Sequence, residues 1–241
     1  MALPGTIAID GPAGSGKSSV SFALAQRLGY LFVDTGAFYR AVTLLALRAG
    51  QDLSDSEGVA ALARSTSLDV TGDLGSDGRQ YTVLADGEDV TWEIHSPQVD
   101  AHVSVVAANP GVRQAMLAAQ RALAARGRVI MAGRDIGTVV LPDADLKIYI
   151  DASLEKRAER RYVQRVSNGE PADLAQISEG LHQRDTIDSQ RDVAPLLRAP
   201  DAIYLDTTAL SLEQAVEAAY QIVVGWDKRQ LAPANEPASQ P

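Results

Sequence analysis

Three observations predict an α/β fold built on a parallel sheet covered on both faces. A glycine-rich loop stands between a short apolar run and a helix-like stretch near the N-terminus. Five apolar runs alternate with helical patterns along the chain. Two segments interrupt that alternation, one rich in turn signals and one rich in charge, and read as an insertion and a flap on the same core.

The first run, Thr6 to Ile9, leads into "DGPAGSGKSS" and then "SVSFALAQRLG", a strand–loop–helix unit. "YLFVD" (Tyr30 to Asp34) predicts the second strand, "RVIMAG" (Arg128 to Gly133) the third, "LKIYID" (Leu146 to Asp151) the fourth and "AIYLD" (Ala202 to Asp206) the fifth. Between Thr66 and Trp92, Gly and Asp turn signals separate short β-prone runs, which predicts a small antiparallel meander. From Leu154 to Arg191 the chain is highly charged, with "SNGEPADL" as a break between two helices of a mobile flap. The last stretch, residues 231–241, is rich in Pro and Ala, has little to bury and is expected to be disordered.

Composition narrows the chemistry. With 241 residues, 46% of them hydrophobic, the chain can bury its own core. A formal charge of −9 argues against a broad nucleic-acid surface, so any anion must meet a local basic pocket. The absence of cysteine excludes disulfides, thiolate metal sites and cysteine nucleophiles, and suits a cytoplasmic setting. His95, His102 and His182 lack metal-ligand spacing. No secretory signal and no run of about 18 apolar residues is visible, so neither export nor a membrane span is expected.

Gly11, Gly16, Lys17 and Ser18 satisfy the phosphate-loop pattern G-x-x-x-x-G-K-[ST], in the strand-to-helix context that pattern needs. Glycines let backbone N–H groups turn inward around phosphate oxygens, and the helix N-terminus adds its positive dipole end. The loop Gly11, Pro12, Ala13, Gly14, Ser15, Gly16, Lys17, Ser18 and Ser19 is therefore expected to hold ATP, with Lys17 on the β- and γ-phosphates and the Ser18 hydroxyl on Mg2+. No guanine-reading Asn-Lys-x-Asp segment is found, and the chain is small for a motor ATPase. A small kinase with an insertion for its acceptor and an arginine-rich flap fits the layout, since phosphoryl transfer must exclude water. A nucleotide-binding regulatory ATPase is the alternative from another class.

"HQRDTIDSQRDVAPL" (His182 to Leu196) raises a separate question. If it is helical, Arg184, Asp188 and Arg191 fall at i, i+4 and i+7 and share a face, while Asp192 points elsewhere. Alone, such a ladder reads as a solvated surface.

Together "IDGPAGSGKSS", "DTGAFYRAVT", "GRDIGTVVLPDADLKIYIDAS", "RAERR", "QRDTIDSQRDVAPL" and "DAIYLDTT" closely resemble the bacterial cytidylate kinase family, in order from Ile7 to Thr208. The resemblance implies a P-loop nucleoside monophosphate kinase fold: a five-stranded parallel core, an inserted monophosphate-binding domain with a small antiparallel sheet, and a helical lid. Transferred to this chain, the core takes residues 1–35, 95–153 and 192–230, the monophosphate-binding domain 36–94, and the lid with its adjoining helix 154–191. It also implies transfer of the γ-phosphoryl of ATP to CMP or dCMP with Mg2+. By that resemblance Thr35 and Arg40 lie near the acceptor phosphate, Arg134 reaches it, and Ser104, Arg113 and Asp135 read cytosine. Asp135 could instead hold a magnesium-bound water. Arg184 and Asp188 hold the sugar, and Arg191 meets phosphate. A catalytic set of Lys17, Arg134, Arg157, Arg161 and Arg191 follows, the lid arginines Arg157, Arg160, Arg161 and Arg165 being expected over the transferring group, with Arg157 and Arg161 on one face. The partners expected are small molecules only, and the chain is expected to act as a monomer. AMP, shikimate or dephospho-CoA remain open as other acceptors. Two departures from the family are mild: Ser18–Ser19 stands where many relatives have glycine and threonine after the lysine, and Phe38 stands where Met or Ile is common.

Overall fold

The computed structural model describes residues 3–226. The expected tail at 231–241 and the last few residues assigned to the core lie outside them. Five strands, β1 (Thr6–Asp10), β2 (Leu31–Asp34), β6 (Val129–Gly133), β7 (Leu146–Asp151) and β8 (Ile203–Asp206), form one parallel sheet in the order β2-β6-β1-β7-β8. β1 and β6 are almost wholly buried, which is why their sequences are unbroken apolar runs rather than alternating ones. The predicted strands are recovered within one residue at each end. Arg128, expected to open the third strand, instead takes a left-handed φ of 51° just before it.

The covering expected on both faces fails at the β8 edge. Ile203 and Tyr204 are exposed there, because the last helix, α8 (Leu212–Val224), packs on α1 (Lys17–Leu28) instead of across β8. Tyr204 stacks on Tyr149 of β7, with ring centroids 6.2 Å apart.

The first interruption is a three-stranded antiparallel sheet of β3 (Leu68–Thr71), β4 (Thr82–Ala85) and β5 (Glu88–Asp89). Asp86 and Gly87, both at positive φ, make the two-residue turn between β4 and β5. Around it lie α2 (Gly36–Arg48), α3 (Ser56–Ser65), α4 (Pro97–Ala108) and α5 (Pro110–Ala124). α4 packs on α2 and α5 on α3, so the boundary expected at residue 95 cuts through a packed helical layer. Sequence alternation marks chain order there, whereas burial groups the helices. The second interruption is the pair α6 (Leu154–Ser167) and α7 (Leu174–Gln190), packed on each other with the expected break between them.

In this strand order the chain runs outward from β1 to the β2 edge, returns through β6, and then crosses to β7 and β8. The direction of winding changes beside β1, and ligands of open α/β sheets bind at the carboxyl edge of such a point. Both the loop after β1 and the Arg134–Asp135 segment after β6 open there.

Candidate functional site

The phosphate loop follows β1 directly. A Cβ on Gly11 would sit 2.0 Å from the Ile150 carbonyl oxygen, so only glycine lets the loop leave the sheet here. Gly14 has φ +77°, and a Cβ there would come within 3.2 Å of the Cβ of Arg157. Lys17 is buried, and its Nζ donates to the Pro12 carbonyl at 3.1 Å. Burial pushes its ammonium well below the ordinary lysine value, and the neighbouring Arg134 pushes it the same way. A bound phosphate would supply the missing counter-charge. Ala13, Gly14, Gly16, Lys17, Ser18 and Ser19 line a cavity of about 770 Å³, whereas Gly11, Pro12 and Ser15 shape the loop without lining this cavity.

Helix capping singles out the same edge. α3, α4, α5, α6, α7 and α8 each have a side chain bonded to a first-turn N–H: Asp55, Ser96, Asn109, Ser153, Asp173 and Ser211. α1 has none, whereas the first N–H of α2, on Gly36, donates to Asp34 Oδ1 at 2.9 Å, and both helices lack an acidic residue within the first turn. The α1 N-terminus faces the cavities, leaving its N–H groups and dipole end for an anion.

The phosphate-loop pattern marks Ser18 as a metal ligand and leaves its partner unspecified. Ser18 Oγ donates to Asp34 Oδ2 at 2.6 Å, and Asp34 closes β2 at the carboxyl edge. An acidic residue ending a core strand was the available signal. Among the described residues no group of three or more His, Cys, Asp or Glu side chains could hold a metal. The hydroxyl–carboxylate pair nevertheless suits Mg2+, which takes oxygen ligands and is usually completed by substrate phosphates and water.

A second cavity of about 240 Å³ adjoins the first and shares Lys17, Ser18, Asp34, Arg40, Arg161 and Arg184 with it. Seven basic side chains and three carboxylates line it, a local surplus of positive charge in an acidic protein. Asp135 accepts from Arg113 and, at 3.2 Å, from Arg191 Nη2. Arg134 Nε donates to Asp188 Oδ2 at 2.8 Å. Burial and then Arg134 push Arg184 down to about 10, and its Nε is buried without a partner. Burial raises the Asp188 carboxyl, but Arg134, Arg184 and Arg191 together bring it below its ordinary value.

Arg40 donates to the Ile94 carbonyl at 3.0 Å and to Asp100 at 2.6 Å, and still reaches both cavities. Thr35 lines the second cavity, its hydroxyl bonded to the Ala132 carbonyl at 3.0 Å. Ser104 lines it from α4. Tyr39 also lines it, 5.3 Å beneath the Arg113 guanidinium, and its position inside the quoted "DTGAFYR" was the only hint of that. Phe38 is buried in the core, as a packing residue should be.

Two readings of the charged helices change. Arg184, Asp188 and Arg191 do converge, but not on one helix face: α7 ends at Gln190, and Arg191 has left it with ψ 140°. The chain turns back before Pro195, where Arg191 Nε donates to the Ala194 carbonyl at 2.6 Å and Leu196 N–H to the Asp188 carbonyl at 2.7 Å. Asp192 is exposed, as expected. On α6 the arginines separate. Arg161 lines both cavities, whereas Arg157 lines neither. Arg157 is buried, its Nε and Nη1 donating to the Ala152 and Ala13 carbonyls and its Nη2 ion-paired with Asp185. It is spent on holding the fold and does not face the reacting groups. Arg160 ties the Ser15 and Thr207 carbonyls at 3.2 and 2.6 Å. Arg165 keeps a buried Nε without a partner.

Asp10, which the sequence places just after the first apolar run and gives no role, fixes the turn behind Asp135. Its carboxylate accepts the Ile136 and Gly137 N–H groups, both at 2.8 Å. Burial raises its pKa to about 6. A carboxylate at the end of an apolar strand was its one signal.

The model of the cytidylate kinase family matches residues 7–224. A curated cytidylate kinase of Geobacillus kaustophilus is 48% identical over 218 residues, covering 90% of this chain and 96% of that relative. One from Roseiflexus castenholzii is 49% identical over 218 residues, covering 90% and 92%. A solved structure of an uncharacterized protein from Eubacterium ventriosum superposes with a TM-score of 0.51 at 11% identity, over 92% of this chain and 99% of that one, and supports the fold alone. With the family model spanning the sheet and both cavities, the chain belongs to the cytidylate kinase family.

Proposed function

We propose that the chain transfers the γ-phosphoryl of ATP to CMP or dCMP, giving ADP and CDP or dCDP. The observation that carries this reading is the pair of joined cavities: a phosphate loop opens into one, and the other is lined by seven basic side chains. A phosphate oxygen of CMP attacks the γ-phosphorus in line as the bond to the ADP oxygen breaks. No covalent enzyme intermediate is needed, and no protein base, because the acceptor phosphate is already an anion at neutral pH. Positioning and charge neutralisation supply the rate.

Lys17 and the α1 N-terminus hold the donor phosphates. Arg40, Arg134 and Arg191 hold the acceptor phosphate, Arg184 and Asp188 the sugar, and Arg161 reaches across both cavities. Ser18 with Asp34 would hold Mg2+, which when bound neutralises donor phosphate charge. Ser104, Arg113 and Asp135 face the base. Both Asp135 oxygens already accept from arginines, yet a carboxylate has about four acceptor sites and can still take the cytosine N4 amine. Uracil would present an acceptor there, at a cost of about 1–3 kcal/mol. Because one chain supplies every one of these groups, the acting unit is a monomer. No helix among the described residues is long and apolar enough to cross a membrane.

The test is ATP with CMP, dCMP, UMP, AMP, shikimate, dephospho-CoA or no acceptor, followed by chromatography. CDP and dCDP are expected to form fastest. A faster rate with one of the other acceptors, or ATP consumption without a diphosphate product, overturns the reading.

A further inference from the structure

Arg157 joins three segments that are far apart in the chain. Its Nε donates to the Ala152 carbonyl just past β7, and its Nη1 to the Ala13 carbonyl inside the phosphate loop, both at 3.0 Å. Its Nη2 lies 2.7 Å from Asp185 Oδ2, with both side chains largely buried. Asp185 sits on α7 between Arg184 and Asp188, which line the acceptor cavity, but does not line it itself. Its other oxygen, Oδ1, is buried with no hydrogen-bond partner, so Arg157 alone neutralises the carboxylate. The guanidinium is a rigid plane with donors in fixed directions. A shift of the Ala13 carbonyl therefore displaces the guanidinium end that pairs with Asp185. A Cβ on Gly14 would come within 3.2 Å of the Arg157 Cβ, so the loop passes close to this side chain at Gly14 as well as at Ala13.

We infer that Asp185 is a positioning residue which, through Arg157, couples occupancy of the phosphate loop to the set of the acceptor wall on α7. Neither residue touches substrate. The pair transmits between the two cavities, and by linkage each ligand must alter the affinity of the other by the same factor. This rests on the phosphotransfer reading above for the identity of the two ligands.

The experiment is calorimetric titration of CMP into the full chain, with and without a saturating non-hydrolysable ATP analogue and Mg2+, and the converse titration. In the unaltered protein the analogue is expected to tighten CMP binding by about fivefold or more, with the same factor in the converse direction. In Asp185→Asn, which keeps the shape and removes the charge, that factor should fall close to one while CMP alone binds within about twofold of the unaltered protein, the scale of a site not directly touched. Arg157→Lys, which keeps the charge and loses the fork, should lose the factor too, and it carries the test if Asp185→Asn fails to fold. A pair that only staples α6 to α7 would lower the unfolding temperature and leave the factor intact, which would overturn the inference. A factor of one in the unaltered protein would also overturn it. Failure of the phosphotransfer reading looks different: the unaltered chain would then form no CDP at all.

Discussion

The phosphate loop presents backbone N–H groups, an uncapped helix end and one ammonium, Lys17, which bonds only a carbonyl. The acceptor pocket presents guanidinium groups already bonded to carboxylates: Arg113 and Arg191 on Asp135, Arg134 on Asp188. Both regions offer positive charge to an anion, but the first leaves its charge uncompensated and the second balances much of it beforehand. Uncompensated charge costs stability and favours ligand. Paired charge supports the fold and orients its donors even when no ligand is bound.

Lys17→Ala tests that contrast with the largest effect. It should lower turnover by about a thousandfold, as loss of a buried transition-state donor does. Thermal unfolding should occur at or above the temperature of the unaltered protein, because a buried ammonium lacking a carboxylate partner has been removed. A large fall in unfolding temperature would show that Lys17 stabilises the empty loop.

Arg191→Ala is the matching change on the acceptor side. Turnover should fall by about a hundredfold. Unlike Lys17→Ala it should also cost about 3 kcal/mol of stability in urea unfolding, since it leaves Asp135 with one of its two buried cationic partners. Equal stability of the two variants would erase the distinction between the regions.

Asp10 sharpens the comparison through pH, because it ends β1 and holds the turn that follows Asp135. Its carboxyl is raised from 3.8 to about 6, so the folded state holds the proton more tightly than the unfolded state. The stability this group contributes is fully present below pH 3.8 and is lost as pH rises through about 6. The difference is on the order of 3 kcal/mol, at 1.36 kcal/mol per pKa unit. Urea unfolding from pH 4 to 7 should show that component in the unaltered protein and not in Asp10→Asn. Parallel curves for the two would mean that the carboxyl ionises at its ordinary pH.

The smallest effect is expected at Asp192, exposed and one residue beyond Arg191. Asp192→Ala should change stability and CMP turnover by less than about 0.5 kcal/mol. A larger change would place this residue in the pocket alongside Arg191.

The phosphate loop was legible from ten consecutive letters because its function is local: spacing of glycines, a lysine and a hydroxyl decides where backbone groups point. The strands were legible for a similar reason, since β1 and β6 are buried on both faces and are written as unbroken apolar runs. The acceptor pocket draws on α2, α4, α5, the β6 edge and the end of α7, and no local pattern records which of their charges meet. Family resemblance named most of those residues, though it could not say what each one bonds to.

The sequence by itself determined the alternation of strands and helices, the phosphate loop, the antiparallel insertion and the break within the charged flap, all set by local periodicity and turn chemistry. Only the tertiary structure decided that Arg157 is spent on Ala13 and Asp185 while Arg161, four residues on, faces the cavities. It also decided that Arg191 joins Asp135 from beyond the end of its helix, and that Asp34 meets Ser18. Charge is written in the sequence, but what an arginine does depends on which partner reaches it first, and one partner of Arg157 lies 144 residues away.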